Sequence, residues 1–463
     1  MNYPILSPSF CAANSIIMLH LDKNAASFGM LNIDDNVLKN RIRKVYMQYK
    51  CFFQEIESAA FNLKLSLLYS EEKDNEQVPP DIFIRDSRRS IIDQVADDAP
   101  IINLLNSIFL EAISKRASDI HIESGPDEAT IRYRIDGILI QIKTITLERS
   151  IAVSARLKIL SNLNVLENRR PQDGHIDIKT DTYSLDVRIS IIPSIWGESI
   201  VLRLLNRSDT PLELDTLGFS LKHTEYLQNI FSISSGLILI TGPTGSGKTT
   251  TLAALLKKLN IDSKKIISIE DPVEYRIPGI TQIQVHEELE LTFDTLLRRI
   301  FRQDPDIIMI GEIRDIETAE LAVRASMTGH LVFATLHTNN AVEAVYRLQN
   351  MGIPSYMAAA VLKMIIAQRL IRKICPECKA ESHLFSNCSH CLQTGYFGRI
   401  AIAEFLPVDI NLSDMISKGF LIEQLRIYLK EKKHLSLYDD ARMKIQSGIT
   451  TEVEIQRELG MEQ

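Results

Sequence analysis

The spacing of apolar positions changes several times along this chain, and each change predicts an element. Over the first seventy or so residues, short apolar runs mix with helix-like spacing, as in Val45, Met47, Phe52, Phe53 and Ile56. That predicts a small α/β or mostly helical module. Glu71 to Pro80 is charged, closed by two prolines and able to bury little, so it reads as a linker. From Asp98 the pattern sharpens. Ile102, Leu105, Ile108, Phe109 and Ala112 recur at helical spacing within Ile101–Lys115. Ser118–Glu123 and Thr130–Gly137 then alternate as half-buried strands do, the second closing in an Asp136-Gly137 turn. A helix over Ile151–Leu160 and two more alternating strands, Leu185–Ser190 and Ser199–Leu205, predict a sheet with one or two helices on it.

Further on the strands turn solidly apolar, as strands buried on both faces do. Gly236–Thr241 is followed by Gly242-Pro243-Thr244-Gly245-Ser246-Gly247-Lys248-Thr249, and a helix with an apolar stripe runs from Thr250 to Leu259. The turn fits the phosphate-loop pattern G-x-x-x-x-G-K-[ST] in its required strand–helix context. Its glycines let successive backbone N–H groups curl around an anion, and the helix N-terminus adds partial positive charge. Lys248 is placed for the β- and γ-phosphates, and the Thr249 hydroxyl for magnesium. Residues 242–250 therefore predict a nucleoside triphosphate site.

Composition narrows the class. The chain has 463 residues, enough for about three domains, with 24% charged and 45% hydrophobic residues, as in ordinary globular proteins. A net charge of −7 argues against a general nucleic-acid surface. No apolar run approaches the ~18 residues of a membrane span, and Met1-Asn-Tyr-Pro-Ile5 lacks the features of a secretory signal. A cytoplasmic protein is expected. Cys11 and Cys51 read as buried apolar residues; the other four of the six cysteines cluster. Cys375-Pro-Glu-Cys378 and Cys388-Ser-His-Cys391 have the paired C-x-x-C spacing of a structural zinc site, with His383 and His390 surplus to a complete ligand set.

Other side chains bear on the nucleotide. Lys265–Ile269 ends in Glu270-Asp271, and Asp306–Ile310 ends in Gly311-Glu312-Ile313-Arg314. Carboxylates at such strand ends point into the ligand crevice of an open α/β sheet. Glu270 suits magnesium or its water shell, and Glu312, in the Walker B position, suits the attacking water. Arg188 and Arg203 sit in alternating strands, where a solvated polar face is the commoner use; the alternative is a reach to the γ-phosphate as arginine fingers. Arg298 and Arg302 share a helical face, either solvated or turned to a subunit or domain boundary. His330 and His337 bracket a fourth apolar strand, with structural roles and γ-phosphate sensing both open.

Taken together, these stretches resemble the type II secretion and type IV pilus assembly ATPases. The matching text includes Ala117–Glu123, Arg132–Gly137, Arg170-Pro-Gln-Asp-Gly174, the phosphate loop, Glu270–Tyr275 with Gly279–Gln282, Arg302–Asp306, Gly311–Asp315, Ala367–Arg372 and Thr394–Arg399, in the family's order from about Asp98 to Thr451. The resemblance implies an α/β fold with a RecA-like P-loop NTPase domain over 217–463 and a zinc-binding insert at 375–391. Ahead of these it implies a small docking module over 1–80, a linker over 81–97, an α+β, PAS-like domain over 98–206 and a hinge over 207–216. It assigns Glu270 to an acidic "Asp box", His330 and His337 to a "His box", and Arg188, Arg203, Arg298, Arg302 and Arg314 to required arginines. The implied cofactors are ATP, Mg2+ and Zn2+. The implied assembly is a homohexamer on inner-membrane platform and anchor proteins, peripheral to the membrane and with no direct nucleic-acid partner. The tetracysteine insert and Ser7-Pro-Ser-Phe10 favour secretion over pilus assembly; a nucleic-acid motor and a nucleotide-gated scaffold are the remaining rivals. Glu290 and Asp294 replace small residues usual for the family, and Asp440 replaces a glycine.

Overall fold

The structure, a computed structural model, describes residues 11, 14–21, 25–33, 35–47, 49–56, 99–179, 184–206, 213–381, 387–419 and 422–460. The chain divides into two compact units, Met1–Asp81 and Ile82–Gln463. Ser7–Phe10, the 71–80 stretch, the 81–97 linker and hinge residues 207–212 lie outside the described residues.

The first unit is α/β. Strands β1 (Ile16–Leu21), β2 (Ala25–Met30) and β3 (Lys50–Glu55) form a sheet in that order, with helix α1 (Asn36–Val45) between β2 and β3. β1 and β2 are antiparallel, β2 and β3 parallel. Asp35 caps α1 by accepting from the Leu38 N–H at 2.9 Å. The helical spacing expected to run through Phe52 and Phe53 breaks after Val45. The two phenylalanines lie in β3, facing opposite ways, with Phe53 stacked on Phe28 and Phe52 exposed. Aromatic β-propensity wins over spacing here. Cys11 is buried in this core and Cys51 half-buried.

The second unit opens with α2 (Ala99–Ser114) and a six-stranded antiparallel sheet: β4 (Asp119–Ser124), β5 (Glu128–Ile135), β6 (Ile138–Thr146), β7 (Gln172–Lys179), β8 (Ser184–Ser194) and β9 (Gly197–Asn206). The strand order is β6-β5-β4-β9-β8-β7. Helix α3 (Leu147–Leu160), starting four residues earlier than its apolar pattern indicates, packs with α2 on this sheet. β5 alternates buried and half-exposed positions along its length, as its sequence predicts.

A seven-stranded sheet with its helices follows in the same unit. Helix α4 (Leu221–Phe231) leads into β10 (Gly236–Thr241), α5 (Lys248–Leu259), β11 (Ile266–Glu270), β12 (Thr281–Gln284), α6 (Phe293–Ile300), β13 (Ile307–Ile310), α7 (Ile316–Met327) and β14 (Leu331–Leu336). Then come α8 (Ala341–Asn350), α9 (Ser355–Val361) and a long antiparallel pair, β15 (Leu362–Ile374) and β16 (Tyr396–Pro407). The strand order is β12-β11-β13-β14-β10-β15-β16, parallel up to β15. Successive side chains of β10 serve opposite faces. Ile238 and Ile240 pack with Leu252 and Leu256 of α5, while Leu237 and Leu239 join a second core with Val345 and Leu348 of α8. Each fully buried Leu or Ile contributes about 1.5–3 kcal/mol. The cysteine cluster sits in the connection between β15 and β16. Among the described residues four helices follow over 410–459. Among the described residues no helix is long and apolar enough to cross a membrane.

Candidate active site

The ends of β10, β11 and β13 meet at one edge of the parallel sheet, where backbone N–H groups and strand-end carboxylates converge. They open on a cleft of about 550 Å³ lined by the phosphate loop, Glu270, Asp271, Glu312, Arg314 and His337, and from the preceding domain by Ser118 and Arg203. Gly245 and Gly247 have φ of 80° and 85°, so the loop's curl depends on glycine. A Cβ on Gly247 would also meet the Gln368 amide at 2.8 Å.

Lys248 is folded back, donating to the Gly242 and Pro243 carbonyls at 2.8 and 3.0 Å. Burial pushes its ammonium down to about 8, against the opposing charge of Glu312. A phosphate would supply the anion this lysine lacks. Glu270 is buried and its carboxyl raised, chiefly by burial; Ser268 and Gln282 donate to its Oε1 at 2.6 and 2.9 Å. Glu312 pairs with Arg314, and its second oxygen lies 3.5 Å from His337 Nε2. Arg314 also faces Asp271 at 3.7 Å. Burial and the Lys248 charge hold the His337 imidazole below its ordinary value. The Thr250 hydroxyl is 3.0 Å from that of Tyr275.

Arg188 and Arg203 are directly opposite one another on β8 and β9. Arg203 Nε donates to buried Asp119 at 3.0 Å on the neighbouring strand, which offsets the repulsion of the arginine pair. Arg188 lines an adjoining hollow of about 450 Å³ with Asp271 and Glu274 on its far wall. Burial lowers its guanidinium, against the attraction of Asp186 and Glu274.

Not all the sequence candidates gather here. The two histidines come to opposite ends of the sheet, because one precedes a strand and the other follows it. His337 faces the cleft, whereas His330 hydrogen-bonds the Ala325 carbonyl at 3.0 Å, packs near Phe301 and lines a hollow at the far edge. Of the two roles left open for the histidines, the position of His330 away from the cleft favours a structural one. Arg298 and Arg302 are exposed and do not line the cleft; Arg298 lies 3.9 Å from Asp294.

Two further residues shape the site. Gln368, in the middle of β15, is buried, donates to the Ser246 carbonyl at 2.8 Å and accepts from the Thr251 hydroxyl at 2.8 Å. It braces both ends of the phosphate loop's turn into α5. Arg399 of β16 also lines the cleft. The signal for Gln368 is an amide directly after the apolar run Met364–Ala367; Arg399 carries none beyond the family text.

The four cysteine sulfurs lie within 4.8 Å of one another, with Cys375–Cys388 at 4.0 Å and Cys378–Cys391 at 3.7 Å. A tetrahedron of ~2.3 Å zinc–sulfur bonds has edges of ~3.8 Å, so the donor set fits zinc. The Gly395 N–H donates to Cys391 Sγ at 3.3 Å, an outer contact suited to a thiolate. His390 stacks on Phe397 and lies 3.3 Å from Glu377, apart from the donor set; His383 is outside the described residues.

Comparison with known proteins bears on this geometry. The family described as "Type II/IV secretion system protein" matches residues 94–457. The chain is 39% identical over 434 residues to the type II secretion system ATPase E of Vibrio cholerae, covering 87% of this chain and 86% of that protein. It is 40% identical over 405 residues to the type IV pilus assembly ATPase PilB of Myxococcus xanthus, covering 82% and 72%. Among solved structures, the pilus retraction motor PilT with bound ADP superposes with a TM-score of 0.56 at 28% identity, over 76% of this chain and 95% of that one. The Legionella pneumophila ATPase DotB, at 22% identity and a TM-score of 0.62 over 77% and 95%, shares the fold.

Proposed function

Because this chain belongs to the type II/IV secretion system protein family, as one of its ATPases, we propose that it is the motor of a type II secretion system, driving pseudopilus assembly and protein export. One observation carries the mechanism: Lys248 and Glu312 on one wall of the cleft face Arg203 from the other domain. ATP's terminal phosphate would then be gripped from two sides. Bound magnesium would neutralise the β- and γ-phosphates, held by the Thr249 hydroxyl with Glu270 nearby. Lys248 gives up its loop carbonyls for phosphate oxygens. Glu312 exchanges Arg314 for the attacking water and aligns it in line with the scissile bond. Arg203 leaves Asp119 for the γ-phosphate, joined by Arg188, and the two domains close. Hydrolysis removes that anchor, and they part about the 207–216 hinge.

The magnitudes allow this. Shifting a two-state hinge from 1:99 to 99:1 takes about 5.5 kcal/mol of differential binding. Two charge-assisted hydrogen bonds supply roughly 1.5–3 kcal/mol each. Arg298 and Arg302, exposed and away from their own cleft, suit a contact with the next subunit of a homohexamer, His337 senses the γ-phosphate beside Glu312, and the four cysteines hold zinc. The motor acts from the cytoplasm through inner-membrane platform and anchor proteins, with residues 1–80 as its dock.

The second reading, type IV pilus assembly, is favoured by the likeness to PilB. A host strain deleted for this chain decides between them. Loss of exported proteins with pili intact supports secretion; loss of pili with export intact transfers the role to pilus assembly.

A further inference from the structure

The preceding domain also meets the nucleotide domain at the turn between β5 and β6. Asp136 and Gly137 both have left-handed backbones, with φ of 49° and 87°, which lets the hairpin reverse in two residues. The Asp136 carboxylate is engaged across the domain boundary. Its Oδ2 accepts from the Gly398 N–H at 2.8 Å, and its Oδ1 lies 3.9 Å from Arg399 Nε. Arg116, from its own domain, approaches Oδ2 to 3.6 Å. Gly398 has a φ of 77°, and a Cβ there would meet Lys373 Cε at 3.2 Å, so glycine suits the backbone that turns this N–H toward the carboxylate. The Arg116 guanidinium lies 3.6 Å from the Phe397 ring centroid. Three consecutive residues at the start of β16 are therefore held from the other domain, and the third, Arg399, lines the nucleotide cleft.

We propose that Asp136 is a positioning residue for nucleotide binding: it holds Arg399 in the cleft from across the domain boundary, so that ATP affinity depends on how the preceding domain is seated. At 3.9 Å the carboxylate orients the guanidinium without taking up its donors in a full hydrogen bond, leaving them for an anion. A long side chain ordered in advance loses less entropy when the phosphate arrives. The Gly398 hydrogen bond fixes the backbone from which Arg399 projects. Asp136 is thus linked to the phosphates through Arg399 and touches none of the reacting atoms.

The inference rests on the ATPase reading, and its test separates the two. In the full chain, Asp136→Asn keeps a residue tolerant of the left-handed turn and a neutral acceptor for Gly398, but removes the charge facing Arg399. Binding of a fluorescent ATP analogue should weaken roughly five- to tenfold. KM should rise by the same factor with kcat changed by less than about twofold, and the melting temperature should stay within about 2 °C of the parent. In an Arg399→Gln background, Asp136→Asn should weaken binding no further. Asp136→Ala, which also leaves the Gly398 N–H without its acceptor, should bind more weakly than Asp136→Asn. Unchanged affinity in Asp136→Asn, or the same additional loss in both backgrounds, would overturn the proposal. Failure of the unsubstituted chain to bind the analogue at all would instead overturn the ATPase reading beneath it.

Discussion

Replacing Gln368 by alanine should loosen the phosphate loop from behind, through the Ser246 carbonyl and the Thr251 hydroxyl. Gln368 is 1% exposed and makes one hydrogen bond to each end of the segment it braces, both at 2.8 Å. Gln368→Ala leaves the Ser246 carbonyl and the Thr251 hydroxyl short of a partner in a dry interior, at about 1–3 kcal/mol each. A cavity penalty adds to that. The two unpaired groups alone cost about 2–6 kcal/mol, which corresponds to a fall in melting temperature of roughly 4–24 °C for a domain of this size. The loop would no longer be held in its anion-binding curl, so affinity for an ATP analogue should drop by about tenfold or more. Gln368→Met, which keeps volume but neither hydrogen bond, separates the two terms. It should recover only the cavity part of the stability and little of the affinity. Melting followed by circular dichroism and nucleotide binding by calorimetry provide the two readouts. If Gln368→Ala melts within about 1 °C of the parent and binds with unchanged affinity, the bracing argument is wrong.

Three other predictions follow from the same geometry. Glu312→Gln should still bind ATP, since Lys248 and the loop are intact, while turnover falls about 10²–10⁴-fold in a steady-state phosphate-release assay. His223 is fully buried and its imidazole pushed down to about 4 from an ordinary 6.5 by burial, against Asp440 and with Lys444, Lys222 and His434 reinforcing the shift. Its folded-state value lies below the unfolded one, so its contribution is present above pH 6.5 and lost as pH falls towards 4. That contribution is about 3 kcal/mol, and denaturant melts of His223→Phe across this window should show a flatter pH dependence. The purified chain should carry one zinc by elemental analysis, and Cys378→Ser should lose it along with thermal stability, because all four ligands of a closed site are needed.

The parts of the fold most legible from sequence were those whose signal is local. The apolar strand, glycine turn and helix at 236–259 stand where the spacing puts them, and β5 alternates as written. Phe52 and Phe53 left the first module open between α/β and mostly helical, because two aromatics beside a helix satisfy helical and strand patterns equally well until the helix end is known. The extent of the β15–β16 pair was hidden for a related reason. An apolar run such as Met364–Ala367 carries no period of its own, and its antiparallel partner begins more than twenty residues later. The histidines were undecided for want of polarity: spacing says that His330 and His337 flank a strand, but only the parallel sheet shows that the C-terminal end, with His337, opens on the cleft. Gln368 and Asp136 act on residues more than a hundred positions away, so no window of sequence contains both partners. Asp440 stood out in the sequence only as a charge where glycine is usual. In the fold it is buried, accepting from the Ala403 N–H at 2.9 Å and pairing with Lys444 at 2.8 Å.

The central claim is that a nucleotide held between Lys248 on one side and Arg203 on the other sets the angle between two domains. Small-angle scattering of Glu312→Gln with ATP, compared with the unsubstituted chain with ADP, measures it most directly. The account predicts a more compact particle with ATP, a smaller difference between the two nucleotides once Arg203→Ala is added, and none once Arg188→Ala joins it. Identical profiles with ATP and ADP, or a difference that survives Arg203→Ala undiminished, would contradict it.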